Sequence, residues 1–534
     1  MAPMTDGQEQ ITASRPAIQE YRKCLVVPRT YVKRIKTKLE KYSQLDKSVK
    51  IVQEPDPLHE EDGYQRNERQ LRMVIPTTVK FTQFKGDDDA IFQAFMAQDN
   101  RLGNVIQELE LEGLIKSGDI SIIDKPLSEG NAPEQRTPLL KALEESLGEL
   151  PQELFVSLGL TIETLVDAFP STYSVYRPML LLPAHAFDNP SWQKLLLSNS
   201  PESPQLQGIW KRLAEATKTT HVAINAGIPL NNTPSQPTSQ DSPEENILRS
   251  PMNLTPLYGD FGPSPTPQLL SNPTEEDFNK AFWVSCTQNG IHQTWAPRFS
   301  MFSRGNIKEK TRLLTLPSVK ETVEEGCTAL DLYAGIGYFA FSYKRAGASK
   351  VLCWELNPWS IEGLRRGANM NHWTSQIFQA EAYMADGWIE QVKDVDFLIF
   401  QESNEAALCP IFCLVWKAPK NAVPPIRHVN CGFLPSSKQS WQTAVRSLDT
   451  RLGGWIHAHE NVGVNDIDKR KEEVVNELQY KVDYWEAERG CCGSYRRRVR
   501  CEHVERVKTY APGVIHVVFD MKVDGQVDAE DLLA

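Results

Sequence analysis

The stretch "CTALDLYAGIGYFAFSYKRAGASKVLCWELNP", Cys327 to Pro358, decides how the chain is read. It opens on an apolar run, turns through glycines, becomes helical and returns to a second apolar run, "KVLCWEL". "NPWSIEGLRRGANMN" follows as a helix, with Pro358 suited to its first turn. Strand, turn, helix and strand in alternation predict a parallel sheet with helices on its faces. The expected fold class is therefore α/β, a Rossmann-like domain preceded by additional N-terminal α+β parts. Gly335 and Gly337 stand at a strand-to-helix turn, where missing side chains let a ligand approach the backbone, and with Ala340 they satisfy GxGxxA. That pattern serves dinucleotides and S-adenosylmethionine (SAM) alike, and charge sign separates them. Asp331, at the end of the first strand, repels a pyrophosphate but suits the ammonium and sulfonium charges of SAM. Glu355 ends the second strand, where an acid accepts hydrogen bonds from ribose hydroxyls in either cofactor class.

At 534 residues the chain has room for two or three domains. A net charge of −11 argues against a protein that coats nucleic acid nonspecifically, yet leaves room for a local basic face. Two clusters qualify. One is Tyr21 to Tyr42; in the other, "YRRRVRCEHVERVK", Tyr495 to Lys508, arginines alternate with β-branched and aromatic residues. Each reads as a solvated face or as a surface for phosphates, and Arg496, Arg497, Arg498 and Arg500 are the nucleic-acid candidates of the second. The ten cysteines form no paired CxxC array, and "CPIFC" and "GCCG" lack flanking ligands, so reduced thiols and no metal are expected. "MAPMTDGQEQ" has neither the basic start nor the apolar core of a signal peptide, and no run approaches the roughly 20 apolar residues that span a bilayer. A cytoplasmic protein with no membrane attachment and no obligate protein partner is the expectation.

Composition divides the chain into a flexible tail (1–20), a small N-terminal domain (21–125), a linker (126–138), an intermediate domain (139–282) and a SAM-binding catalytic domain (283–534). "NNTPSQPTSQDSPEEN", residues 231–246, is too polar to support a packed core and reads as a disordered insert. Downstream, "RHVNCGFLPSSKQSW" follows an apolar run, and its Ser436 or Ser437 either faces the reacting centre or caps the next helix. In "GGWIHAHENV", His457 and His459 fall on one face of a strand, an arrangement that invites a metal but has no third ligand beside it.

"WAPRFSMFSRGNIKEKTR", "LDLYAGIGYFAF", "WELNP", "HVNCGFLPSS", "HAHENV" and "RVKTYAPGVIHVVFD" stand in an order that resembles the tRNA wybutosine-synthesizing protein 2 family. This is the aminocarboxypropyltransferase branch of a group that includes the tRNA guanine-N1 methyltransferases. The resemblance spans about Ile247 to Asp520, fades before about Thr220, and resembles fungal members in its long N-terminus and insert. It implies transfer of the 3-amino-3-carboxypropyl group of SAM to carbon 7 of 4-demethylwyosine, next to the anticodon of phenylalanine tRNA, with methylthioadenosine leaving.

Residue by residue, the resemblance implies that Ser303 and Lys310 contact SAM, Lys310 pairing with the carboxylate of the methionine tail, and that Glu355 binds the ribose. Arg304, in the same segment, joins the nucleic-acid candidates. The family's Asp-Asn cofactor pair aligns with Glu381 and Ala382, and Ala382 lacks the amide. Asn430, His459 and Glu460 are the candidates for handling the proton lost from carbon 7. The residues from Gln401 to Ile426 depart from the family's pattern and read as a species-specific insertion or a retained intron. Two other functions stay open: a guanine-N1 methyltransferase, against which "GFLPSS" speaks, and a noncatalytic tRNA-binding scaffold.

Overall fold

A computed structural model describes residues 19–41, 44–46, 49, 51–54, 72–83, 120–126, 137–225, 254–379, 387–418, 422–490 and 496–526. Two compact units divide between Arg136 and Thr137. The first carries a four-stranded antiparallel sheet in the order β2-β3-β1-β4, from β1 (Gln19–Pro28), β2 (Val52–Gln53), β3 (Arg72–Gln83) and β4 (Ser121–Pro126). Its helix α1 (Val32–Lys41) buries Ile35 and Leu39 against Leu25, Val27 and Ile75.

The second unit starts with helices, among them α2 (Pro138–Gly148) and α3 (Pro204–Ala216), around a sheet of β5 (Ser174–Tyr176), β6 (Met179–Leu182), β7 (His221–Ile224) and β8 (Thr255–Tyr258). The expected division at 282/283 is not a seam. Met179 and Ala223 of this sheet share one apolar cluster with Val284, Trp295 and Ile336, so both regions close over a common core. Between them stands a hairpin, β9 (Val284–Gln288) and β10 (Ile291–Trp295), whose Asn289 and Gly290 take φ of 54° and 70°. Both residues are left-handed, as a two-residue type I′ turn demands. The expected disordered insert, 231–246, lies outside the described residues, as do residues 1–18 of the expected tail and 127–136 of the linker.

The predicted α/β domain is present as an eight-stranded sheet in the order β13-β14-β12-β11-β15-β16-β18-β17. Its strands are β11 (Thr328–Asp331), β12 (Lys350–Glu355), β13 (Ser375–Gln379), β14 (Phe397–Gln401), β15 (Ile426–Cys431), β16 (Gly454–Gly463), β17 (Val499–Ala511) and β18 (Val514–Val523). β13 to β16 and the strands between them pair in parallel, while β18 and β17 are antiparallel additions. Alternate residues feed two cores. Ala329, Val351 and Cys353 pack on α4 (Ile307–Leu313), α5 (Ala340–Ala346) and α6 (Pro358–Met370). Leu330, Leu352 and Trp354 face the other way, onto α7 (Leu408–Lys417), α8 (Trp441–Ser447) and α9 (Ile467–Glu488). The period-2 alternation of side chains thus builds a three-layer sandwich. No described helix is long and apolar enough to cross a membrane.

Residues 401–426, expected to be a species-specific insertion or a retained intron, join two strands of the sheet. Gln401 closes β14, Ile426 opens β15, and α7 lies between them. Parallel strands require such a crossover, and α7 seats Pro410, Ile411 and Leu414 in the core while Trp416 faces solvent. Leu414→Ala should therefore cost about 2–5 kcal/mol in urea unfolding, as a core truncation does. A change within experimental error would show that α7 adds little to the core.

Candidate active site at the glycine turn

The turn after β11 is shaped by Gly335 and Gly337, at φ 54° and 90°. A Cβ at Gly335 would sit 2.5 Å from the Tyr338 ring, and one at Gly337 would sit 2.8 Å from the Phe341 ring, so both positions exclude side chains twice over. Glu355 holds this turn to the next strand: its Oε2 accepts from the Gly335 N–H at 2.8 Å, and its Oε1 from those of Leu356 and Asn357 at 2.9 and 2.8 Å. Burial raises its pKa against the pull of these three amides. Asp331 is fully buried; its Oδ1 accepts from Asn430 Nδ2 at 3.0 Å and from the Tyr333 N–H at 3.3 Å, and its Oδ2 has no hydrogen-bond partner. Burial carries the carboxyl up to about 6, with Asn430 and Tyr333 holding it down. β11 and β15 adjoin where the strand order reverses, and in open α/β sheets ligands bind outside the carboxyl ends of such strands. Two carboxylates beside a glycine turn, one with an unpartnered oxygen, fit the positive charges and ribose of SAM.

A lip reaches over from the segment before the nucleotide fold. Asn357 Nδ2 donates to the Phe299 carbonyl at 3.2 Å, and the Tyr338 hydroxyl donates to that of Met301. Ser303 follows, half-buried, before the turn into α4. Lys310 of α4 points inward: Nζ donates to Gln288 Oε1 at 3.1 Å and Gln293 Oε1 at 3.0 Å, and lies 4.6 Å from the Phe302 ring centre and 5.2 Å from that of Tyr338. Burial brings its amine down to about 7; nearby Cys286 opposes that shift and Lys508 adds to it. Gln288 and Gln293 went unnoticed in the sequence, although the Asn-Gly turn of their hairpin was a readable signal.

Arg312, one residue pair further along α4, pins the lip to the sheet. It donates to both oxygens of Glu309, at 2.7 and 2.8 Å, and to both of Asp520 on β18, at 2.5 and 3.0 Å. Although burial raises it, the His457 N–H and Arg312 hold the Asp520 carboxyl well below the usual carboxylate range.

Residues 286–405 match the TRM5/TYW2 methyltransferase domain model. The tRNA wybutosine-synthesizing protein 2 of Schizosaccharomyces pombe is 36% identical over 355 residues, covering 66% of this chain and 72% of that protein. The protein of the same name from Saccharomyces cerevisiae is 30% identical over 489 residues, covering 83% and 96%. The chain belongs to the tRNA wybutosine-synthesizing protein 2 family. Among solved structures, TYW2 of Pyrococcus horikoshii in complex with MeSAdo is 17% identical with a TM-score of 0.43, covering 73% of this chain and all of that one.

For this family member the structure gives the surroundings of the residues singled out from sequence. Asn430, His459 and Glu460 are each buried with their polar atoms engaged. Asn430 bridges Asp331 and His459; His459 lies between Asn430 and His516, at 3.2 and 3.0 Å. Glu460 is paired with Arg470 at 3.0 Å and accepts from the Ser436 hydroxyl at 2.8 Å and the Ser437 N–H at 3.0 Å. It therefore clamps the "LPSS" loop, and Ser437 turns inward to accept from the Trp441 indole. His457 bonds Asp520 at 2.7 Å and His428 at 3.1 Å, and no metal-ligating cluster exists among the described residues. Glu381 and Ala382 lie outside the described residues.

Of the arginine candidates, Arg497 is the clearest correction: it is fully buried, paired with Glu486 at 3.2 Å and bonded to the Asp524 carbonyl. Arg496 pairs with Asp483 and Arg500 with Asp524, so both are exposed but neutralised locally, while Arg498 is exposed. In the first basic cluster, Arg22 pairs with Asp46 at 2.8 Å and Lys23 with Asp124 at 3.0 Å. Arg304 is exposed and donates to the Ser174 hydroxyl at 3.0 Å.

Arg312→Ala removes the cation that pairs with buried Glu309 and Asp520, leaving Asp520 its bond from His457, and should cost about 3–5 kcal/mol in urea unfolding at neutral pH. The loss should shrink in acid, because Asp520, whose folded pKa is depressed, contributes stability above the unfolded carboxylate range and loses it as pH falls through and below that range. An equal loss at every pH would contradict this account.

Proposed function

We propose that the protein transfers the 3-amino-3-carboxypropyl group of SAM to carbon 7 of 4-demethylwyosine in phenylalanine tRNA, releasing methylthioadenosine. The pairing of Asp331 and Glu355 around the Gly335 turn, in a chain of this family, carries the reading. SAM supplies an electrophilic carbon joined to a sulfonium leaving group. Glu355 receives the ribose, its carboxylate already fixed by three backbone amides. Asp331 balances the positive charge of the cofactor in a site screened from water, where opposite charges attract strongly. Lys310 is placed to pair with the carboxylate of the transferred group; an arriving carboxylate favours the protonated amine that burial disfavours. Transfer replaces the hydrogen on carbon 7 by a carbon–carbon bond, the proton passes out of the site, and the sulfur keeps the bonding electrons. Selection of this carbon over the methyl is a matter of alignment, since the acceptor must lie in line with the departing sulfur.

A cavity of about 370 Å³ lies against the lip, lined among others by Ser174, Tyr176, Met301, Phe302 and Arg304. Its aromatic walls and the guanidinium at its edge suit a tRNA base, and Arg304 contributes a phosphate or base contact there.

Incubation with SAM and tRNA from cells blocked before this step should give a mass gain of one aminocarboxypropyl group. A gain of one methyl group would replace this reading by the guanine-N1 methyltransferase, and failure to bind SAM would favour the scaffold. SAM affinity should rise with pH through about 6, because Asp331 is ionised above that value and neutral below it. Calorimetry between pH 5 and 8 measures it, and Asp331→Asn should flatten the profile.

A further inference from the structure

Asp331, Asn430, His459 and His516 form a buried chain of hydrogen bonds, with distances of 3.0, 3.2 and 3.0 Å between successive members. Its direction is fixed by chemistry. An ionised Asp331 only accepts, so Asn430 turns its NH2 to Oδ1 and its carbonyl oxygen away. That oxygen only accepts as well, so His459 donates from Nε2–H. Burial, then the neighbouring His516, His457 and Arg312, keeps His459 neutral, so its Nδ1 is bare and accepts from His516 Nε2–H. His516, also kept neutral by burial and Lys508, ends the chain with an Nδ1 that has no partner. Every donor in the sequence points toward Asp331. The acid itself is tied to the strand below, since Asp331 and Asn430 are register partners on β11 and β15.

We propose that His516 and His459 are positioning residues for cofactor binding: they hold the Asn430 amide with its NH2 toward Asp331 and so keep that carboxylate ionised and its Oδ2 unpartnered for SAM. The inference rests on the SAM reading above. If the amide turned over, its carbonyl would face Asp331 and favour the protonated acid, which donates a hydrogen bond where the carboxylate cannot. The backbone N–H groups of Tyr333 and Ala340 also favour the ionised acid, less than Asn430 does, and no other side chain near Asp331 supplies this bias. Glu355 on β12 is a like charge and opposes ionisation. Cys353 on β12, Cys431 on β15 and Tyr343 on α5 have pKa values raised by burial and remain neutral. The chain thus offsets burial at the one acid that must stay charged.

The test compares His459→Met, which presents a weak sulfur acceptor and no donor to Asn430, with His459→Gln, which restores an amide donor. Both variants remove the imidazole, so a purely structural role moves both alike. SAM titrations from pH 5 to 8 should show the midpoint of His459→Met displaced upward by about one pH unit, making binding roughly fivefold weaker at pH 6 and nearly normal at pH 8. His459→Gln should follow wild type. Imidazole-nitrogen NMR of histidine-labelled protein should show Nε2–H tautomers for both His459 and His516. Coincident pH profiles for all three proteins, or an Nδ1–H tautomer at His459, would overturn the proposal while leaving SAM binding established. Wild-type protein that binds no SAM at any pH would instead overturn the cofactor reading, and this inference with it.

Discussion

The hydrogen bond between Asn430 and Asp331 lies where the sheet reverses its order of growth, and the rest of the site is arranged around it. β12, β14 and β13 extend from one side of β11, and β15, β16 and the antiparallel pair from the other. A crevice opens at such a reversal because helices on the two sides diverge. One acid at that point is buried to exclusion of water, which strengthens its pull on a cation and also makes its charge costly to keep. The polar residues behind it answer that cost. Strands whose other buried side chains are mostly apolar carry His428, Asn430, His457, His459, His516 and Asp520 on the face toward the lip.

Around this centre the nucleotide fold and the preceding segment act as two halves of one container. The glycine turn and Glu355 belong to the fold and are rigid through backbone hydrogen bonds. The lip belongs to the segment from Phe299 to Leu313 and is held by side chains: the Asn357 amide at one end, Tyr338 in the middle and Arg312 at the other. Since the hairpin supplying Gln288 and Gln293 also packs on the intermediate region through Val284 and Trp295, the lysine of the lip is coupled to a part of the chain outside the Rossmann-like domain.

What the sequence made legible were features governed by nearest neighbours. Gly335 and Gly337 announce a turn, Asp331 and Glu355 stand at the ends of apolar runs, and strand-helix alternation dictates the layers. Burial and pairing across long separations were not legible. Nothing local distinguishes Arg497, which is sealed against Glu486, from Arg498, which is exposed. Glu460 stands among the sequence's candidates for handling the proton, but that Ser436, Ser437 and Arg470, from different elements, are its partners is not visible there. Residues 401–426 read as a departure from the family's pattern; that their flanking strands β14 and β15 run parallel within one sheet, so that a crossover must join them, lies in pairings the local sequence does not display.

The bidentate pair between Arg312 and Asp520 spans 208 residues of sequence. During synthesis the glycine turn, both carboxylates and the lip leave the ribosome long before β18 does, and domains generally fold as units once their contacts are available. Glu309, buried beside Arg312, shares the same anchor. The segment that carries Lys310 thus gains its anchor on the sheet only when β18 has been made, among the last of the described strands.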